Sequence, residues 1–251
     1  MKLTVLGSGT VIPYPKRGNS GYFLQSENHS ILIDGGSGAL RKIADFGLNY
    51  RDIDIITYTH LHPDHCFDFI PLMFSLKHDS LLNRPKSVQI IAPKGFQTYF
   101  YQLMEIYGEW VIDDDIQFQI REISEVHIKL NNLIIQSFHT YHTDNSVGYL
   151  FVEIEGGKLL YSGDMDYFPE IIKYSKDMDI LLLECSFPDD MKRKGHLTPS
   201  ECGRIASESD VKTLILTHLY PEVLESEIIP QVKKYYSGEV IVASDGLEIE
   251  I

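Results

Sequence analysis

Short apolar runs closed by glycine-rich or polar turns set the hydrophobic pattern of this chain. Runs of that length predict buried strands, and in the first half they fall at 2–6, 21–26, 30–34, 53–58 and 88–92. Others follow within 116–138, then at 147–153, 158–162, 180–183, 213–216, 240–243 and 247–251. Helices are predicted between them. One covers 37–46 and stops at Gly47; a second covers 64–77 with a kink or break at Pro71. A third covers 94–107, opened by Pro93 and stopped by Gly108, and its aromatic residues, Phe96, Tyr99 and Phe100 among them, read as helix packing. Three more fall near 169–174, at 199–207 and near 222–235. Strands lead and helices intersperse in both halves, and no linker or low-complexity tract divides the chain. The simplest packing is two sheets face to face with helices outside, one sheet per half, in one domain over residues 1–251.

With 251 residues, 43% of them apolar, the chain can bury a large core. Its first strand breaks at Gly7-Ser8-Gly9, too soon for a secretory signal, and no apolar stretch is long enough to cross a bilayer. Cys66, Cys185 and Cys202 are widely spaced, as expected of reduced thiols in a cytoplasmic protein. The formal net charge is −14, and no basic run is longer than Lys192-Arg193-Lys194. That balance argues against membrane surfaces and long nucleic acids as partners. A small anionic substrate stays compatible with it where cations neutralise the acids around the site.

The candidate chemistry begins where strand 53–58 ends, at His60-Leu61-His62-Pro63-Asp64-His65. Three imidazoles and a carboxylate in six residues exceed what a turn requires. His60 and His62, two apart in extended chain, point to one side and suit one metal. Asp64 and His65, past the turn at Pro63, reach a second. Other strands also deliver polar residues at their C-terminal ends, where sites form in sheet-based folds. Asp164 follows 158–162, Glu184 follows 180–183, His218 follows 213–216, and His139 and His142 follow a strand near 134–138. Two ions about 3.5–4 Å apart take such a mixture of histidine and carboxylate. The expected arrangement gives His60, His62 and His142 to one ion, Asp64, His65 and His218 to the other, and Asp164 to both. A bridging hydroxide is then the nucleophile. His139 competes with His142 for its place. The expected cofactor is a pair of divalent ions, zinc first, with manganese and iron also suited to these ligands.

These residues, with Leu6-Gly7-Ser8-Gly9-Thr10 at the start, resemble the metallo-β-lactamase superfamily over nearly the whole chain. The resemblance implies an α/β fold, the four-layer αββα sandwich, and a dinuclear site. Within the superfamily the chain is most similar to ribonuclease Z and its phosphodiesterase relatives. The carrying residues are His142 with Ser146-Val147-Gly148-Tyr149, Tyr161-Ser162-Gly163-Asp164, Leu183-Glu184, Gly195-His196-Leu197-Thr198 and Leu216-Thr217-His218. That pattern favours His142 over His139 as the ligand. It also implies a homodimer, and a part for His196 and Glu184 in protonating the leaving group. Thr198-Pro199-Ser200-Glu201 is a capping box with proline at the first helical position, so His196 is expected beside a helix N-terminus, which favours anions. Paired with Glu184, its imidazolium can give a proton to a leaving alkoxide. Asp64, besides binding metal, is expected to orient the attacking hydroxide.

The expected activity is that of a metal-dependent phosphodiesterase acting on a small phosphodiester, a cyclic nucleotide or a short RNA. Ribonuclease Z carries a long protruding arm that grips transfer RNA, and no glycine/proline-rich or basic insertion here matches it. A transfer-RNA maturation endonuclease is therefore the lesser alternative. A thioesterase of glyoxalase II type, or a lactonase, would share the metal cluster. The Glu184/His196 pair speaks for phosphorus, because a thiolate leaving group needs little protonation. A non-catalytic scaffold would be expected to lose ligands, and all seven positions are filled.

Overall fold

Side-chain alternation along the strands sorts the apolar residues into three cores, and these define the layers. The computed structural model describes residues 1–123 and 127–251. One sheet takes β1 (Lys2–Gly7), β2 (Gly21–Gln25), β3 (Ser30–Ile33), β4 (Ile55–Thr57), β5 (Lys86–Pro93) and β6 (Ile116–Ile123). The other takes β7 (His127–Leu130), β8 (Leu133–His139), β9 (Val147–Glu153) and β10 (Lys158–Tyr161), then β11 (Ile180–Glu184), β12 (Thr213–Thr217) and β13 (Glu239–Val242). The final strand, β14 (Glu248–Glu250), returns to the first sheet and pairs antiparallel with β1. The strand orders are β14-β1-β2-β3-β4-β5-β6 and β13-β12-β11-β10-β9-β8-β7.

Ile31 and Ile33 of β3, Ile55 of β4, Leu159 and Tyr161 of β10, and Leu182 of β11 all face the core between the sheets. Their neighbours Leu32 and Ile56 point the other way, under α1 (Ala39–Asp45), α2 (Pro63–Cys66), α3 (Phe69–His78) and α4 (Phe96–Tyr107). Leu160, Leu181 and Leu183 point outward from the second sheet. They lie beneath α5 (Ile171–Ser175), α6 (Pro199–Ser209), α7 (Pro221–Leu224) and α8 (Ile228–Lys233). The result is the αββα sandwich. Phe96 stacks on Tyr58 at 5.2 Å inside the outer core of the first sheet, as helix packing requires.

Three expectations need correction. The rule of one sheet per half fails at the C-terminal end, because Leu247 and Ile249 pack into the core between the sheets from beside β1. Val5 N donates to Leu247 O at 2.9 Å and Gly246 N to Val5 O at 2.8 Å, which fixes that return. The helix expected over 64–77 is two, α2 and α3, and the break falls at Phe67-Asp68 and not at Pro71. Asp68 is held there by accepting from Gly38 N (3.0 Å) and Leu40 N (2.8 Å). Pro71 sits in the first turn of α3, where a missing N–H costs nothing. The helix expected over 222–235 is likewise broken, into α7 and α8. The strands expected within 116–138 are β6, β7 and β8, and their stretch at 124–126 lies outside the described residues.

Candidate active site

β3 runs parallel to β4, and β10, β11 and β12 run parallel to one another. The loops leaving their C-terminal ends meet between the sheets. Val147 N donates to Thr59 O at 2.9 Å across that junction. Gly163 has φ +58, and a Cβ there would lie 2.7 Å from Thr59 Cβ. Glycine before Asp164 therefore lets the loop of one sheet touch the loop of the other.

Asp164 stands at the centre. Its Oδ2 faces Nε2 of His142 at 3.6 Å and of His60 at 3.9 Å. Its Oδ1 faces Nε2 of His65 at 3.4 Å and of His218 at 3.5 Å. Nδ1 of His62 completes the first side, 3.0 Å from His60 Nε2 and 3.2 Å from His142 Nε2. Oδ2 of Asp64 completes the second, 3.5 Å from His218 Nε2. His60, His62, His142 and Asp164 thus form one group that could hold an ion, Asp64, His65 and His218 form another, and Asp164 also groups with His196 and His218. His139 is not among them. It is exposed, and its Nε2 contacts Asp144 O at 3.2 Å.

The donor set fits cations. Nε2 of His65, Nε2 of His218 and Oδ1 of Asp164 are buried, converge, and have no hydrogen-bond partner. One such orphan costs about 1–3 kcal/mol, so three in one place mark a group that a bound cation would satisfy. Four of the five rings are also held by their other nitrogen. Nδ1 of His60 meets Thr59 Oγ1 at 3.1 Å, that of His65 meets Asp34 Oδ2 at 2.8 Å, that of His142 meets Gly195 O at 2.9 Å, and that of His218 meets Ser186 Oγ at 3.0 Å. Contacts of this kind fix the tautomer and leave Nε2 to ligate. His62 alone presents Nδ1 to the cluster.

Burial, with the charge of His65 adding to it, drives the His60 imidazole well below its usual range, into the neutral form a ligand needs. His65 goes the other way. Burial would lower it, but Asp164 and then Asp34 hold it well above the ordinary value. Burial would raise Asp164, yet His218 and His65 keep its carboxyl well below the usual range.

Beside the second set, Glu184 at the end of β11 is fully buried. It accepts from Met165 N at 2.9 Å and from Ser186 Oγ at 2.5 Å. Nδ1 of His196 lies 3.0 Å from its Oε1. Burial pulls the His196 imidazole down, but the Glu184 carboxylate outweighs it and holds the ring up at about 9. The ring is 4.9 Å from that of His142 and stacks at 5.8 Å on that of His218. With Nδ1 engaged, Nε2 is the nitrogen offered to a ligand. Glu201 accepts from Thr198 N at 2.9 Å, so the helix expected after His196 does start with its capping box. An open cavity of about 690 Å³, lined by Tyr141, His142, Thr143, Lys194 and Gly195, leads to this side.

Sequence reasoning missed Asp34, Thr59, Tyr161 and Ser186. Asp34 accepts from Thr59 N (2.8 Å) and Tyr161 Oη (2.9 Å) as well as meeting His65. It closes strand 30–34 as Asp164 and Glu184 close theirs, so the same signal was present. Ser186 bridges Glu184 and His218 from a position with no pattern to mark it.

Residues 1–228 match the family described as Anti-Pycsar protein Apyc1. The probable metallo-hydrolase YhfI of Bacillus subtilis is 30% identical over 262 positions, covering 98% of either chain. Ribonuclease Z of Archaeoglobus fulgidus is 25% identical over 306 positions, covering 100% of this chain and 97% of its own. The crystal structure of YhfI, a metallo-β-lactamase fold protein, superposes with a TM-score of 0.88 at 26% identity over 100% of this chain and 99% of that one.

Proposed function

The chain belongs to the Anti-Pycsar protein Apyc1 family, among metallo-hydrolases of the metallo-β-lactamase fold, and we propose that it hydrolyses a small phosphodiester, a cyclic nucleotide or a short RNA. It is a metal-dependent hydrolase. The proposal gives His60, His62, His142 and Asp164 to one divalent ion and Asp64, His65, His218 and Asp164 to a second, zinc first among the candidates. Bound there, the ions supply an ionised water near neutral pH and positive charge for the phosphoryl oxygens.

The observation that carries the reading is the contact of His196 Nδ1 with buried Glu184 at 3.0 Å, beside the ligand cluster. It keeps a proton on the imidazole, and Nε2 gives that proton to the ester oxygen as its bond to phosphorus breaks and the water oxygen bonds on the other face. An alkoxide leaves poorly without such a donor, whereas a thiolate does not need one. Asp64, whose carboxyl burial raises but His218 and His65 pull down, stays ionised and orients the attacking water. Size supports a small substrate. Matching the archaeal ribonuclease Z takes 306 positions for a chain of 251, so that enzyme carries segments this chain lacks; matching YhfI takes 262.

The test is a substrate panel with the metal-loaded enzyme: bis-aryl phosphodiesters, cyclic nucleotides, short RNA, precursor transfer RNA, a thioester and a lactone. The expected result is turnover of the diesters and of small nucleotides above all others. Preferential turnover of the thioester or lactone would overturn the proposal.

A further inference from the structure

A second cavity, of about 240 Å³, opens next to His60 and His62 and does not include His196 in its lining. Its walls are Leu61 and Pro93, and its polar groups are Lys94, Thr143 and Asn145. Among the described residues neither the Lys94 ammonium nor the Asn145 carboxamide has a hydrogen bond or ion pair, although both line the same space. The carboxylate near Lys94 is otherwise engaged: Glu122 Oε1 accepts from Gly95 N (2.9 Å) and Gln97 N (2.7 Å). Asn145 is presented by a tied loop. Thr143 N donates to Ser146 Oγ at 2.7 Å, Ser146 Oγ to Thr143 O at 2.9 Å, and Thr140 N to Ser146 O at 2.9 Å. His139, exposed and outside the metal cluster, meets Asp144 O at 3.2 Å and supports the same loop.

We propose that this cavity receives the nucleoside that stays bonded to phosphorus during hydrolysis, a substrate portion defined by one planar ring with an amide-like edge. The inference rests on the phosphodiesterase reading above. Three features select this occupant over a second phosphate. The volume lies below the roughly 300–1,000 Å³ that holds a drug-sized ligand, so one ring system fits and a whole dinucleotide does not. Two walls are apolar, which suits a ring face and not an anion. An asparagine carboxamide offers one donor and one acceptor side by side, the pair that reads a base edge. Lys94 then donates to a ring carbonyl or a ribose oxygen. Thr143 lines both this cavity and the larger one at His142 and Lys194, so the two spaces adjoin.

The experiment compares two esters with the same leaving group: the p-nitrophenyl ester of thymidine monophosphate and methyl p-nitrophenyl phosphate. The metal-loaded wild type is expected to favour the nucleoside ester by about tenfold or more in kcat/KM, chiefly through KM. Asn145→Ala and Lys94→Ala are each expected to shrink that ratio towards unity. Calorimetric titration with thymidine monophosphate supplies a readout without turnover, and both variants are expected to bind it more weakly than wild type. Turnover of both esters with equal kcat/KM, or variants that leave ratio and binding untouched, would overturn the nucleoside subsite while the hydrolase reading stands. Turnover of neither ester would overturn the phosphodiesterase reading instead.

Discussion

Nδ1 of His65 lies 2.8 Å from Oδ2 of Asp34, a fully buried contact that ties the ligand cluster to the end of β3. Asp34 also takes hydrogen bonds from Thr59 and Tyr161, so one carboxylate gathers three elements around a single imidazole. Replacing Asp34 with alanine frees the ring to turn and removes the group that fixes its tautomer. Metal affinity is expected to fall about 10–100-fold, measured by competition with a chromophoric chelator. An unchanged affinity would mean that packing alone orients His65.

His196→Ala is expected to lose about 10²–10⁴ in turnover on a diester with an alkyl leaving group, and far less on a p-nitrophenyl ester. His196 also stands within ligand distance of Asp164 and His218. Metal content therefore separates the two roles: a proton donor can be removed with both ions retained, whereas loss of metal would make His196 a ligand.

On the proposed mechanism, the Glu184 carboxylate sets the pH range over which His196 can donate its proton. His196 is raised, to about 9, so its acid form is present at lower pH and disappears as pH climbs through that value. Glu184→Gln removes the negative charge, and the imidazole then loses its proton sooner. The alkaline limb of the pH–rate profile is expected to move to lower pH than in wild type. Bound cations push the limb the same way in both proteins, so the difference reports Glu184 alone. Superimposable profiles would remove Glu184 from the proton path.

His139 and His142 are three residues apart and are predicted to behave oppositely. Nε2 of His142 is 3.6 Å from Asp164, whereas His139 is exposed at the end of β8 and contacts Asp144 O. His142→Ala is expected to lose bound metal by elemental analysis, and His139→Ala to keep it. The reverse outcome would move the ligand position.

Tyr149 couples the two sheets. Its hydroxyl, on β9, donates to Tyr58 O at 2.8 Å and to Ile91 O at 3.1 Å on the opposite sheet. Tyr149→Phe takes the hydroxyl from Tyr58 O in a buried interior, while Ile91 O keeps its bond from Tyr58 N. The expected loss is about 1–3 kcal/mol, read as a lower urea midpoint with an unchanged slope. A midpoint equal to wild type would show that water replaces the hydroxyl.

The sandwich and the site were legible in the sequence to different depths. Period-two strands and their order gave the two layers, because Ile31, Ile33, Leu182 and their like must alternate between two dry faces. The short strand at 248–250 could not be assigned to a sheet, since its place depends on β1, nearly the whole chain away. The histidine cluster was readable because its ligands are neighbours or end strands. Thr59 and Ser186 were not, because a hydroxyl that steers an imidazole is indistinguishable in sequence from any turn residue. The breaks at Asp68 and after Leu224 were hidden for a similar reason: the bonds from Gly38 and Leu40 that hold Asp68 come from another element.

Each ligand set draws on both sheets: His60, His62, Asp64 and His65 come from the first, and His142, Asp164 and His218 from the second. During synthesis, then, the chain must emerge beyond Asp164 before the first proposed set can assemble, and beyond His218 before the second can. Ions held there as proposed would clamp together two halves of the chain that were built apart.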